Sequence, residues 1–147
     1  RPLNNFFLNP LMEYLRIKYI CPIQIPKKGR AAMKEIINRV SNGYSVAIMV
    51  DHRTSEGPRV PFFNHPAHTT TLPAQLALKY GCKLVPLYIE RKDGIKFEMT
   101  VHKPYEVEKT GNDEKDKKEI TIKINQIIEE MIIKNPTGWI WSHNRWK

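Results

Sequence analysis

The chain has 147 residues, 41% apolar and 27% charged, with 24 Lys and Arg against 15 Asp and Glu for a formal net charge of +9. That length carries one domain with its own core, and the composition is that of the soluble globular class. Two cysteines, Cys21 and Cys82, far apart and without paired-ligand spacing, argue against a disulfide framework or a structural zinc site and fit a reducing compartment, and no apolar run approaches the ~20 residues that cross a bilayer.

In chain order, residues 4–18 read as a helix with Phe7, Leu11, Met12 and Leu15 on one face, starting near Pro10, where proline is tolerated. Residues 23–25 read as a short strand before Pro26. Residues 30–41 form a second helix on Met33, Ile36, Ile37 and Val40, stopped by Asn42-Gly43. Residues 44–50, with the core VAIMV, read as a strand buried on both faces, as in a parallel sheet covered by helices. Helix returns at residues 72–80 and ends at Gly81. KLVPLYIE is a further apolar strand in which Pro86 implies a bulge or an edge, and RKDG signals a hairpin. Ile95, Phe97, Met99 and Val101 then alternate with polar residues as a half-buried antiparallel strand. The last long helix covers residues 113–134, with acids in its first turn, a stripe of Ile120, Ile124, Ile127, Ile128 and Met131, and a stop at Asn135-Pro136. This order predicts an α/β fold, a mixed and largely parallel sheet flanked by helices, with the whole chain part of a single domain.

Asp51 stands at the carboxyl end of the strand at 44–50, where α/β sheets gather ligands, and it opens a loop about three times the usual length of roughly 4–6 residues. Asp51 and Arg53 read either as an ion pair holding that loop or as part of a site in which Arg53 and Arg59 grip phosphate or carboxylate. Val60 to Phe63 is packing or an apolar wall. His65-Pro-Ala-His68, with Asp51 and His52, supplies ligand types suited to zinc, but the proline breaks the helical register that would bring the histidines together. One of Thr69, Thr70 and Thr71 caps the following helix. In the tail GWIWSHNRWK, Trp139 and Trp141 are expected to pack on the Ile-rich helix, and Trp146 to be the exposed ring beside Arg145 and Lys147, suited to a membrane interface.

RPLNN, DHR, VPFFNHPAHTTTLPAQLALKYG, LVP and NPTGWIWSHNRWK, in this order along the chain, resemble the lipid A biosynthesis acyltransferases, the late lauroyl- or myristoyl-transferring enzymes of Gram-negative bacteria and part of the lysophospholipid acyltransferase-like group. The resemblance is to the C-terminal part of such an enzyme. It implies transfer of a fatty acyl group from acyl carrier protein to a hydroxyl of a phosphorylated lipid A precursor. The implied place is the cytoplasmic face of the inner membrane, and no cofactor or metal is implied. The family's base is a His-x-x-x-x-Asp or Glu dyad. None of the five histidines here starts that motif, so the dyad is expected upstream of Arg1 and the chain alone is expected to be inactive. What remains resembles the acceptor-binding part: Arg1, Asp51, His52 and Arg53, with Phe62, Phe63 and Asn64 along the loop. His52 stands where the family often has glutamine, and Asn64 and Leu72 where it often has glycine.

The positive field suits a polyanion: lipid phosphates, acyl carrier protein or nucleic acid. A basic nucleic-acid-binding domain and a metal-dependent hydrolase on Asp51, His52, His65 and His68 are the rival readings. The first lacks a recognition motif or a basic helix, and nucleic acid is not the expected partner.

Overall fold

The computed structural model describes residues 5–21, 23, 25, 30–54 and 57–146, in two compact units divided after Val46. In the first unit, helix α1 spans Leu8–Tyr19 and helix α2 spans Arg30–Ser41. The Asn5 side chain receives the N–H groups of Phe7 and Leu8 at 3.0 and 3.1 Å, which supplies acceptors to the donors a helix start leaves unpaired. The short strand expected at 23–25 includes Gln24, outside the described residues, as does Arg1.

The strand expected at 44–50, a segment that crosses the division between the units, does not form. Residues 44–50 form no ladder, and among the described residues there is no parallel sheet. Ile48 and Val50 are half-buried while Ala47 and Met49 are exposed, so the segment keeps an extended alternation without a strand beside it. Each strand that does form pairs with its sequence neighbour across a short turn. β1, Arg59–Phe62, pairs antiparallel with β2, His65–His68; β3, Leu87–Asp93, pairs antiparallel with β4, Lys96–Val101. The fold is mixed α/β with four helices and two small antiparallel sheets among the described residues.

The β1–β2 hairpin lies inside the stretch that reads as a loop in sequence. Its two turn residues, Phe63 and Asn64, have φ of +50° and +61°, the left-handed pair that matches the twist of a two-residue hairpin. Asn tolerates that region; Phe does not, and its backbone is held there by the Glu129 carboxylate, which accepts the Phe63 N–H at 2.8 Å. Pro61 stands opposite Pro66. Counting back from the turn, this is a non-hydrogen-bonded pair, where a missing N–H costs no ladder bond. Pro61's carbonyl faces outward and accepts from Asn125 Nδ2 at 2.8 Å.

Helix α3, Leu72–Tyr80, closes at Gly81 as its sequence predicts, and the Thr70 hydroxyl accepts the Leu72 N–H at its start. β3 begins after Pro86, and Gly94 lies in the turn to β4. The cross-strand pairs Leu87↔Val101 and Ile89↔Met99 carry exposed apolar side chains. The half-buried strand expected at 95–101 is therefore exposed, because none of the described elements layers over that face.

Helix α4, Asp113–Lys134, is the spine of the unit. Its covered face includes Asp116, Ile120, Thr121, Asn125, Ile128 and Ile132, while Ile127 and Met131 turn half outward. Phe62, Ala67, Ile128 and Ile132 form the core cluster, with Val50, Phe63, Ile124, Trp139 and Trp146 packed against it. No helix among the described residues is long and apolar enough to cross a membrane.

Asp116 ties the preceding loop to α4 by accepting the Thr110 hydroxyl at 2.6 Å and the Thr110 N–H at 2.9 Å. The Thr110 hydroxyl bond holds its carboxyl below the ordinary value of 3.8, so the stabilisation is complete above that value and is lost as pH falls through the lowered one. Asp116→Asn should therefore lower stability more at pH 7 than at pH 3. Denaturant unfolding at the two pH values checks this, and an equal loss at both would refute it.

Candidate functional site

Residues 51–53 and the β1–β2 hairpin meet the C-terminal tail around one side chain. Arg145 is fully buried. Its Nη1 donates to the His68 carbonyl, its Nη2 donates to Thr69 Oγ1 at 2.9 Å, and its guanidinium lies 5.1 Å from the Phe62 ring centre. Thr69 Oγ1 also accepts from Asn125 Nδ2 at 3.2 Å and donates to the Ala67 carbonyl at 3.1 Å, so this one hydroxyl uses its donor and both lone pairs. Tail, hairpin and α4 are thus joined through Thr69. Two buried polar atoms here, Arg145 Nε and Asn125 Oδ1, have no partner among the described residues. Burial pulls the Arg145 pKa below its ordinary value, and the nearby Asp51 carboxylate opposes that shift. A guanidinium keeps its charge in spite of it.

The loop before β1 is pinned at Gly57, whose φ is +130°. A Cβ there would sit 2.2 Å from the Thr69 carbonyl oxygen, so only glycine lets the two backbones approach. The His68 Nδ1 proton bonds the Gly57 carbonyl at 2.9 Å across the same gap.

Trp139 packs where its sequence suggests, but Trp141 and Trp146 exchange the places expected of them. Trp146 is half-buried, its indole N–H bonds the Phe62 carbonyl at 2.9 Å, and its ring lies 5.6 Å from that of Phe62. Trp139 packs on the same core, and Trp141 is the exposed ring at 53%. The expectation fails for Trp141 and Trp146 because the tail does not run as a simple extended strand. The 3-10 turn at Pro136–Gly138 and further turns at Trp141 and His143 reverse it, which carries Trp146 back onto the hairpin.

Of the residues singled out from sequence, Phe62 is buried core and Phe63 and Asn64 form the hairpin turn. His52 and Arg53 are exposed and Asp51 is half-buried. The Arg53 N–H donates to His143 Nε2 at 3.2 Å, which fixes its backbone to the tail while its side chain stays in solvent. Among the described residues no ion pair joins Asp51 to Arg53. Nor do the histidines converge: His65 and His68 are three apart on β2 and face opposite sides, and among the described residues no three metal-ligating groups gather. A cleft of about 410 Å³ lined by Pro86, His102, Tyr105, Ile127, Met131 and Lys134 contains none of the predicted site residues. Sequence reasoning missed Arg145, Thr69, Asn125 and Glu129 as the side chains that hold the site; a lone arginine in a basic tail gives no sign that it will be buried.

A profile of the family described as bacterial lipid A biosynthesis acyltransferase matches residues 3–147. The chain belongs to that family. It is 26% identical over 144 residues to the lipid A biosynthesis acyltransferase of Haemophilus influenzae, a match that takes in 95% of this chain and 45% of the relative. The chain thus spans less than half the length of that curated acyltransferase. In this member of the lipid A acyltransferase family, the DHR segment, the hairpin and the tryptophan-rich tail are distant in sequence and meet through Arg145, Thr69 and His143.

Proposed function

We propose that this chain is the acceptor-binding part of an enzyme that moves a fatty acyl group from acyl carrier protein to a hydroxyl of a phosphorylated lipid A precursor, at the cytoplasmic face of the inner membrane. The observation that carries the reading is Arg53. Its backbone is fixed by His143, and its guanidinium is exposed with no ion pair among the described residues. A cation held in place yet unspent suits a phosphate, which the planar fork meets bidentately. His52 and Arg59 are exposed nearby in sequence and add donors. The net charge of +9 draws in both acidic substrates, lipid phosphate and acyl carrier protein.

In this reading the acceptor hydroxyl attacks the thioester carbonyl, the carrier's thiol leaves, and a histidine base takes the hydroxyl proton. No histidine in this sequence is followed five positions later by an acid, so that base is supplied from outside these 147 residues.

The test is Arg53→Ala in full-length enzyme. Losing a charged hydrogen bond worth about 1.5–3 kcal/mol should raise the acceptor KM about 10- to 100-fold, with little change in melting temperature. Arg53→Lys should recover only part of the loss. A melting temperature that falls in step with activity, or an unchanged acceptor KM, would refute the assignment.

A further inference from the structure

Arg145 is a cation withdrawn from water with one nitrogen still unpartnered. Two of its nitrogens are committed to His68 and Thr69, and the third, Nε, is buried without a partner among the described residues. Such a group calls for an acceptor, and an anion most of all. The other buried or half-buried acids among the described residues of this unit are committed elsewhere, Glu90 to Lys92. Glu129 holds the Phe63 N–H, and Asp116 holds Thr110. Asp51 forms no ion pair among the described residues.

Asp51 is also the acid that the backbone brings alongside. Val50, one residue before it, packs on the core cluster that also carries Trp146, one residue after Arg145. Arg53, two residues after Asp51, is bonded through its N–H to His143, two residues before Arg145. These contacts bracket Asp51 and Arg145 on both sides. A pair between Asp51 and Arg53 would place an exposed cation against a half-buried acid and would contribute little. A pair between Asp51 and Arg145 would satisfy a buried one.

We propose that Asp51 closes onto Nε of Arg145 as its counter-ion, and that this pair positions Arg53 for the acceptor. Asp51 is then a positioning residue, not a ligand of the acceptor as its sequence context suggests. The second half of the inference rests on Arg53 meeting the acceptor; the first does not.

A double-mutant cycle in full-length enzyme tests it, with Asp51→Asn, Arg145→Lys and the double variant. Asp51→Asn should lower the folded-to-unfolded ratio about tenfold in the native background and less than about threefold beside Arg145→Lys, as loss of a charge-assisted hydrogen bond implies. The same substitution should raise the acceptor KM about tenfold with kcat little changed, and Asp51→Glu should restore part of the loss. An equal effect of Asp51→Asn in both backgrounds overturns the pair. Coupling with an unchanged acceptor KM overturns the positioning role. Since the cycle does not involve Arg53, its result stands apart from that of Arg53→Ala. If Arg145→Lys does not fold, exchange of the Arg145 Nε proton decides the first half: slow in the native enzyme and fast in Asp51→Asn supports the pair, and no difference overturns it.

Discussion

Given acyl carrier protein charged with laurate or myristate and a tetra-acylated lipid A precursor, the 147-residue chain alone should turn over about 10²- to 10⁴-fold more slowly than full-length enzyme, the usual cost of a missing general base. The reasoning is residue by residue. Five positions after His52, His65, His68 and His102 stand Gly57, Thr70, Pro73 and Val107, none of them an acid. Nor does the folded arrangement make up for it. His68 donates Nδ1–H to the Gly57 backbone carbonyl and not to a carboxylate, and His143 Nε2 is occupied by the Arg53 N–H, so neither stands in a histidine–carboxylate dyad. Single-turnover assays of both proteins side by side check this. Comparable rates would mean that one of these histidines acts as the base after all.

Phe62→Ala should cost about 3–5 kcal/mol of stability, the range for deleting a buried aromatic ring. Phe62 is fully buried, and its ring lies 5.0 Å from Phe63, 5.8 Å from Trp139 and 5.6 Å from Trp146. It also forms the floor under the Arg145 guanidinium, so the vacated space would lie beside a buried cation and invite water. Denaturant unfolding measures the loss, and tryptophan emission should shift to the red as Trp139 and Trp146 lose their cover. A loss under about 1 kcal/mol would place Phe62 outside the core that the ring geometry describes.

The helices were legible in sequence because periodicity and stop signals agreed. Leu72–Tyr80 with Gly81 and Asp113–Lys134 with Asn135-Pro136 lie where their periodicity and stop residues place them. The strand at 44–50 was not, since an apolar run states only that it prefers cover and cannot name the strand beside it. The β1–β2 hairpin was hidden by its own chemistry. Its turn is Phe-Asn where Asn-Gly would announce it, and each strand carries a proline, which reads as a loop residue. At the site, the polar loop and its arginines stood out, while the groups that organise it did not. Asn125 falls on a helix face otherwise read as apolar, and Arg145 sits in a tail whose tryptophans drew the reading toward a membrane surface. Which ring of that tail is buried depends on turns at 136–143 that leave no periodic trace.

The facing prolines of the β1–β2 hairpin also govern how one molecule meets another. At a non-hydrogen-bonded pair the backbone N–H groups point away from the partner strand, toward the two outer edges of the ribbon. Pro61 removes that donor from one edge and Pro66 removes it from the other, while the outward carbonyl of Pro61 is already taken by Asn125. An incoming strand would therefore find a gap in the middle of either edge. Open edges are where sheet proteins recruit one another into aggregates. Here two four-residue strands place a gap in each edge by their own sequence, and α4 takes up the outward carbonyl on one of them.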